Sequence, residues 1–298
     1  MEIIADFGRE LVEEGHDVWL IEMNGGPETD CPGLEGEEDT CPNYTFEEEA
    51  YVHWPAAIAG VLAYSEKDEV NYVGHSNGGR TALFGLNAYS QNGLNNAGEI
   101  LNFSNGEWEY VDLPSHPVSK FFGIGVPSTL NGDTPFTYLA RNYGHKGVEN
   151  INDKKHIYMS DYGKPILLEA YKDRWYLNVI NKKVTVYGVL AYFAMPFADS
   201  VPLSENVMEF YHNLAYDNET EIDLSDLEVD KLYLFNGYEN DLIVPYSDAE
   251  IIYDEATSIS DDNKLIYDYN ELNHLENHVL ITGNPLVQED ILEKLKND

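Results

Sequence analysis

One serine is flanked by glycines at a spacing that suits nucleophilic chemistry, in Gly74-His75-Ser76-Asn77-Gly78-Gly79. Residues 70–73 before it are predicted as a short strand, and residues 77–88 after it as a helix. A serine on so tight a strand-to-helix turn has a strained backbone, and we expect glycine two residues to either side because side chains there would not fit. The helix beginning at Asn77 would favour negative charge beside Ser76. The pattern therefore predicts a nucleophilic serine.

The elements around this motif alternate between helix and strand. Helices are predicted over residues 3–14, 46–64, 77–88 and 285–296, and strands over 17–23, 70–73, 121–126, 232–235 and 265–269. Such alternation is typical of an α/β fold, with a mainly parallel sheet flanked by helices on both faces. Sites in open sheets of this kind form at the carboxyl ends of the strands.

The middle of the chain fits this alternation poorly. Residues 129–230 are rich in tyrosine and in loop-forming residues, and their apolar pieces are confined to 165–171, 187–197 and 207–214. We interpret residues 129–230 as a cap or lid inserted into a core made of residues 1–128 and 231–298. A second domain unrelated to the site is the alternative.

Four segments resemble the α/β-hydrolase superfamily, and specifically its lipases and esterases. Residues 72–83, YVGHSNGGRTAL, are similar to the nucleophile elbow, and residues 121–128, FFGIGVPS, to the strand that follows it. Residues 232–245, LYLFNGYENDLIVP, resemble the strand and loop that carry the acid. Residues 277–292, NHVLITGNPLVQEDIL, resemble the histidine loop and the last helix. The resemblance covers residues 3–128 and 231–297 and implies an α/β-hydrolase fold.

The resemblance also implies a triad in the chain order serine, acid, histidine. The acid falls on Asp241 and the base on His278. A serine hydroxyl is nearly inert at neutral pH without a base, and an acid must orient that base. Asp248 and Glu239 are weaker alternatives for the acid, and His274 is the alternative base. This chemistry needs no metal or other cofactor, and His75 is expected to be structural.

An oxyanion hole is the next element that the resemblance implies. Its first donor is the backbone N–H of Asn77, the residue after the nucleophile. The second comes, in the family, from a loop between an early strand and the first helix, and Met1 falls at the start of that helix. We therefore expect the early strands and this loop to lie upstream of Met1. Asn24-Gly25-Gly26 is the alternative source of the second donor.

The function implied is hydrolysis of a carboxylic ester, from a small molecule or a lipid, through an acyl-enzyme on Ser76. The same triad serves thioesterases and amidases, which stay open. A catalytically silent protein of this fold that binds a ligand or partner is the alternative from another class.

The charge of the chain excludes some partners. The sequence has 54 acidic and 17 basic residues and a formal net charge of −37, which repels nucleic acid. The acidic residues are spread along the whole chain, which favours adaptation to high salt over an acidic binding patch.

The remaining features bear on compartment and membrane. Cys31 and Cys41 share one loop and form either a local disulfide, which would suggest export, or two unrelated thiols. A zinc site would need more ligands nearby. The most apolar run, 188–198, is too short to span a bilayer and contains Pro196. No signal peptide is visible, but this absence is weak evidence because the chain is expected to begin within the fold. The sequence therefore leaves open whether the protein is secreted or cytoplasmic, and it leaves the oligomeric state open.

Overall fold

A computed structural model describes most of the chain and divides it into two compact units. Unit 1 consists of Met1–Ile21, Ala50–Ser128 and Glu221–Asp298, and unit 2 of Glu22–Glu49 and Thr129–Thr220. That unit 2 acts as a cap stays a prediction. The described residues are 2–21, 44–92, 100–104, 107–111, 116–152, 157, 159–174, 204–217, 220–237, 241, 243–269, 278 and 280–297.

Helices and strands follow one another along the chain in unit 1. The helices are α1 (Glu2–Glu13), α3 (Trp54–Ser65), α4 (Asn77–Asn92), α8 (Tyr246–Glu255) and α9 (Pro285–Asn297). The strands are β1 (Val70–His75), β2 (Ile100–Ser104), β3 (Glu107–Val111), β4 (Val118–Ile124), β5 (Lys231–Asn236) and β6 (Lys264–Asp268). Across the described residues of the whole chain, every helix is too short or too polar to cross a bilayer.

The main sheet has four strands in the order β1-β4-β5-β6, and all three pairings are parallel. Gly74 of β1 lies beside Gly123 of β4, which lies beside Leu234 of β5. The carboxyl ends of these strands therefore meet at one edge. β2 and β3 form a separate antiparallel hairpin that the sequence did not predict. The predicted α/β class, with a parallel sheet flanked by helices, is confirmed.

Alternate residues of the central strands pack against different helices, as the pleat of a sheet requires. On one face, Phe122 and Phe235 are buried in a cluster with side chains from α1 and α9, including Phe7 and Ile291. On the other face, Phe121 stacks on a tyrosine of β1, whose ring in turn contacts a tryptophan of α3. The sheet is thereby covered on both faces, and the loops of the site follow the ends of its strands.

The strand predicted over residues 17–23 is wrong for the residues that the structure describes there. Residues 17–21 form no ladder with any described strand, and residues 22–23 lie outside the described part of the chain. Leu20 is 67% exposed, and Trp19 stacks on Tyr64 with ring centroids 6.1 Å apart. An apolar run predicts a buried strand only when a neighbouring strand can bond to it, and none of the described strands does.

Unit 2 is more helical than the sequence suggested. Its helices within the described residues are α2 (Phe46–Glu48), α5 (Pro135–Ile151), α6 (Met159–Arg174) and α7 (Glu205–Tyr216). The predicted loop-rich character is therefore wrong there, and residues 187–197 lie outside the described part. Close packing gives glycine and tyrosine a role in these helices, because a Cβ on Gly147 would lie 2.6 Å from the Tyr162 ring. The Tyr162 hydroxyl in turn bonds His212 at 2.8 Å.

Candidate active site

Ser76 lies in the turn between β1 and α4, in a left-handed backbone conformation with φ of 52°. Its N–H donates to the Ile124 carbonyl at 2.9 Å, so pairing with β4 continues to the serine itself. Its own carbonyl accepts from the Gly79 N–H at 3.0 Å, so the helix begins at once. Because this conformation costs a non-glycine residue about 1–2 kcal/mol, strain is stored at the serine.

The glycines around Ser76 differ in how much space their surroundings leave for a side chain. A Cβ on Gly74 would lie 2.7 Å from the Cα of Gly79, and a Cβ on Gly79 would overlap Val126. At Gly78 the nearest atom to such a Cβ is the Tyr72 hydroxyl at 3.9 Å. The expectation that Gly78 is required for space is therefore wrong, and the close approach occurs between Gly74 and Gly79 instead.

The side chain of His278 lies between Ser76 and Asp241. The Ser76 hydroxyl donates to His278 Nε2 at 2.7 Å, and His278 Nδ1–H donates to Asp241 Oδ2 at 2.9 Å. His278 is 4% exposed and Asp241 is 3% exposed, so water competes little for these bonds. The structure thus brings together three side chains that are distant in the sequence.

Asp241 is held by its backbone surroundings as well as by the histidine. Its Oδ1 accepts the N–H groups of Ile243 and Val244, both at 2.9 Å, a few residues beyond the end of β5. Burial by itself would raise the pKa of Asp241, but His278 and the backbone donors outweigh it and lower the pKa overall. Asp241 is therefore a carboxylate that accepts from His278 at neutral pH.

The alternative residues for the acid and the base are in other positions. Asp248 is fully buried near the start of α8, and its Oδ2 accepts the Ser128 N–H at 2.8 Å. Glu239 and His274 lie outside the described residues, as do Cys31, Cys41 and Asn24-Gly25-Gly26. Among the described residues, the aspartate that bonds His278 is Asp241.

His75 also bonds His278, through the backbone, and the sequence did not predict this contact. Its Nε2 lies 2.7 Å from the His278 carbonyl oxygen, and the two rings are 4.8 Å apart between centroids. Desolvation by burial, and to a smaller extent the charge of His278, lowers the pKa of His75 to about 4, while the bond to the His278 carbonyl and the Asp241 carboxylate act in the opposite direction. His75 is thus a neutral donor at physiological pH. A hydrogen bond to a backbone carbonyl has no signature in the sequence that could have indicated it.

A glycine of the loop after β4 lies against the histidine and its acid. Gly125 has φ of 54°, and its N–H donates to the Phe235 carbonyl at 2.8 Å. A Cβ there would lie 3.0 Å from His278 Nδ1 and 3.4 Å from Asp241 Oδ2. Because Gly125 has no Cβ, the bonded side chains of His278 and Asp241 can lie directly against its backbone.

Gly125→Ala should therefore displace the His278 ring and weaken its bond to Asp241. A displacement of the order of 1 Å in such a site lowers turnover by about 10²-fold. Ester hydrolysis by the purified variant, compared with its circular dichroism spectrum, checks this. Gly15→Ala is the control, since Gly15 also has a positive φ, of 94°, and nothing lies within 4 Å of a Cβ there. Full turnover in Gly125→Ala would contradict the crowding argument.

The helix after the elbow also contributes to the electrostatics of the site. Asn77 is the first residue of α4, so the positive end of the helix lies beside Ser76, where it favours a developing negative charge. The described residues contain no group of three or more His, Cys, Asp or Glu side chains that could hold a metal ion.

Comparison with known structures finds similar chain folds. An esterase from Exiguobacterium antarcticum is 16% identical over 99% of this chain and 87% of its own, with a TM-score of 0.48. A thermophilic esterase from Thermogutta terrifontis is 14% identical over 98% and 84%, with a TM-score of 0.49. A meta-cleavage product hydrolase from Pseudomonas fluorescens is 13% identical over 97% and 83%, with a TM-score of 0.48.

These similar proteins are esterases and other hydrolases by name. No family model matches the sequence, and no curated protein matches it. The parallel sheet, with a strained serine between β1 and α4, agrees with the α/β-hydrolase fold predicted from the sequence.

Proposed function

We propose that this chain is a serine hydrolase that cleaves carboxylic esters through an acyl-enzyme on Ser76. The observation that carries the proposal is the continuous hydrogen-bonded series from Ser76 through His278 to Asp241. A serine hydroxyl bonded to an imidazole, itself bonded to a buried carboxylate, is the arrangement that activates serine for acyl transfer. The strained backbone at Ser76 adds support, because such strain is typical of nucleophile elbows.

The proposed reaction has two halves that use the same base. In the first, Ser76 Oγ attacks the ester carbonyl carbon while His278 Nε2 takes the hydroxyl proton, and the Asn77 N–H stabilises the oxyanion. The intermediate collapses, and the departing alcohol takes the proton from His278. In the second half, His278 removes a proton from water as the water oxygen attacks the acyl carbon. The second intermediate then collapses, Ser76 Oγ takes the proton back from His278, and the acid departs. Asp241 stabilises the imidazolium in both halves without being protonated.

An active-site probe tests this proposal directly. A fluorophosphonate reacts with an activated serine but not with ordinary serines, so it should label the folded protein once, at Ser76. Mass spectrometry of the labelled peptide identifies the residue, and Ser76→Ala should show no label. A folded protein that neither takes the label nor hydrolyses p-nitrophenyl esters would favour a silent binding protein. Parallel assays with matched thioesters and amides determine which acyl bond is preferred.

We also propose that the acidic surface is an adaptation to high salt. Two buried lysines support this, because each donates to a backbone carbonyl and so does not rely on an exposed carboxylate alone for a partner. Lys120 Nζ donates to the Lys294 carbonyl at 2.9 Å, and Lys264 Nζ to the Tyr253 carbonyl at 2.9 Å. Exposed pairs such as Lys146 with Glu149 contribute little to stability. Salt therefore removes little attraction while it screens the repulsion within a chain of net charge −37.

The midpoint of thermal unfolding should accordingly rise with salt concentration. The Debye length falls from ~10 Å at 0.1 M to ~3 Å at 1 M, and the folded state gains more from this because its like charges lie closer together. Unfolding should be measured in sodium or potassium chloride, because sulfate also strengthens apolar burial. A midpoint that stays constant or falls over this range would contradict the adaptation.

A further inference from the structure

Two adjacent residues of the elbow, His75 and Ser76, form hydrogen bonds to different atoms of the proposed base, His278. Ser76 bonds the ring of His278 at Nε2, and His75 bonds its main-chain carbonyl, both at 2.7 Å. A carbonyl oxygen can only accept, so His75 Nε2 carries the proton and donates. The distance between nucleophile and base is therefore set by two bonds from neighbouring residues of one turn, with Asp241 fixing the far side of the ring at 2.9 Å.

The protonation state of His75 suits this arrangement. Burial, and to a smaller extent the charge of His278, lowers the pKa of His75 to about 4 against the opposing effects of the His278 carbonyl and of Asp241, so the ring is neutral where esters are usually hydrolysed. Its neutral ring lies 4.8 Å from the ring of His278, which becomes a cation when it takes the serine proton. A charged His75 would oppose that step. A neutral donor can hold the backbone without opposing the charge that develops on His278.

We propose that His75 is a positioning residue whose Nε2–H bond to the His278 carbonyl keeps the base within reach of the Ser76 hydroxyl. This role rests on the proposed serine hydrolase function. The acceptor of the His75 bond is a backbone oxygen of His278. Within the described residues, His75 therefore acts on the reaction by holding His278 in position. Its loss should therefore displace the base and reduce the rate of proton transfer, which appears in kcat, while the binding of substrate is largely preserved.

A matched pair of variants isolates the donor. His75→Gln retains an N–H near the position of Nε2, whereas His75→Met has a similar length and no donor. We expect kcat to fall by about 10- to 100-fold in His75→Met, with KM changed by less than about threefold. His75→Gln should recover most of that loss. His75→Phe repeats the test with a flat ring in case the methionine variant does not fold, and circular dichroism verifies each fold.

The control is His116→Phe, which removes an exposed histidine that pairs with Glu228 and should leave kcat unchanged. Wild-type kcat in folded His75→Met or His75→Phe would overturn the role of His75. Equal losses in the glutamine and methionine variants would also overturn it, since shape rather than the donor would then matter. A wild-type protein that neither hydrolyses esters nor reacts with a fluorophosphonate would instead remove the proposed function, and this role with it.

Discussion

Ser76→Ala should lower kcat for ester hydrolysis by about 10⁴- to 10⁶-fold, the largest effect expected of any substitution in this chain. The change removes the attacking oxygen. It also removes the hydroxyl that bonds His278 at 2.7 Å, so the free energy of unfolding should change by no more than about 1 kcal/mol. Hydrolysis of p-nitrophenyl esters and thermal unfolding, measured on the same preparation, check both expectations.

Ser119→Ala is the control for this substitution. Ser119 lies near the amino end of β4, opposite the edge where the carbonyl of Ile124 accepts from Ser76, and its hydroxyl donates to Asp230 at 2.8 Å. Turnover by Ser119→Ala should equal that of the wild-type protein. More than a few per cent of wild-type activity in Ser76→Ala would place the nucleophile elsewhere.

The second largest effect should come from Asp241→Asn, which we expect to lower kcat by about 10⁴-fold. In this variant an asparagine NH₂ group would stand in place of Oδ2 and would donate to Nδ1 of His278. Nδ1 would then have to accept, so the histidine would carry its proton on Nε2. That tautomer cannot accept from Ser76. The carboxylate that stabilises the imidazolium is lost as well. Steady-state kinetics gives the loss, and the fluorophosphonate labelling rate reports the reactivity of Ser76 separately.

Asp248→Asn is the matched control, because Asp248 is also fully buried and accepts a backbone N–H. An asparagine oxygen can still accept from Ser128, so kcat should stay within about threefold of the wild-type value. Comparable losses in both variants would show that burial of an aspartate, rather than its bond to His278, determines the effect. Wild-type kcat in Asp241→Asn would rule out Asp241 as the acid.

The part of this site that depends on local chain geometry could be predicted from the sequence. Ser76 was predicted because glycines flank it on a strand-to-helix turn; of these, Gly74 and Gly79 are the points of closest approach, whereas Gly78 has room for a side chain. Asp241 and His278 were assigned by resemblance and by chain order, since no local pattern relates residues so far apart. The catalytic roles of all three stay predictions until the substitutions above are measured.

Other features could not be predicted because they depend on partners that composition does not reveal. The apolar run at residues 17–21 indicated burial, but a strand also needs a neighbour to bond, and Leu20 is exposed. α5 was missed because its glycines look unfavourable in a helix, whereas Gly144 and Gly147 allow close contact with His212 and Tyr162. The bond from His75 was not predictable, because its acceptor is a backbone carbonyl that any residue supplies.

The distance along the chain between the members of this site has a consequence for refolding. Ser76 and His278 are 202 residues apart, so the bond between them closes a long loop of the chain. Contacts between distant parts of a chain form slowly, because the entropy of closing a long loop must be overcome first. Helices such as α4 can form early from local contacts, whereas we expect the nucleophile to meet its base among the last steps. Recovered helical signal after dilution from denaturant should therefore precede recovered activity.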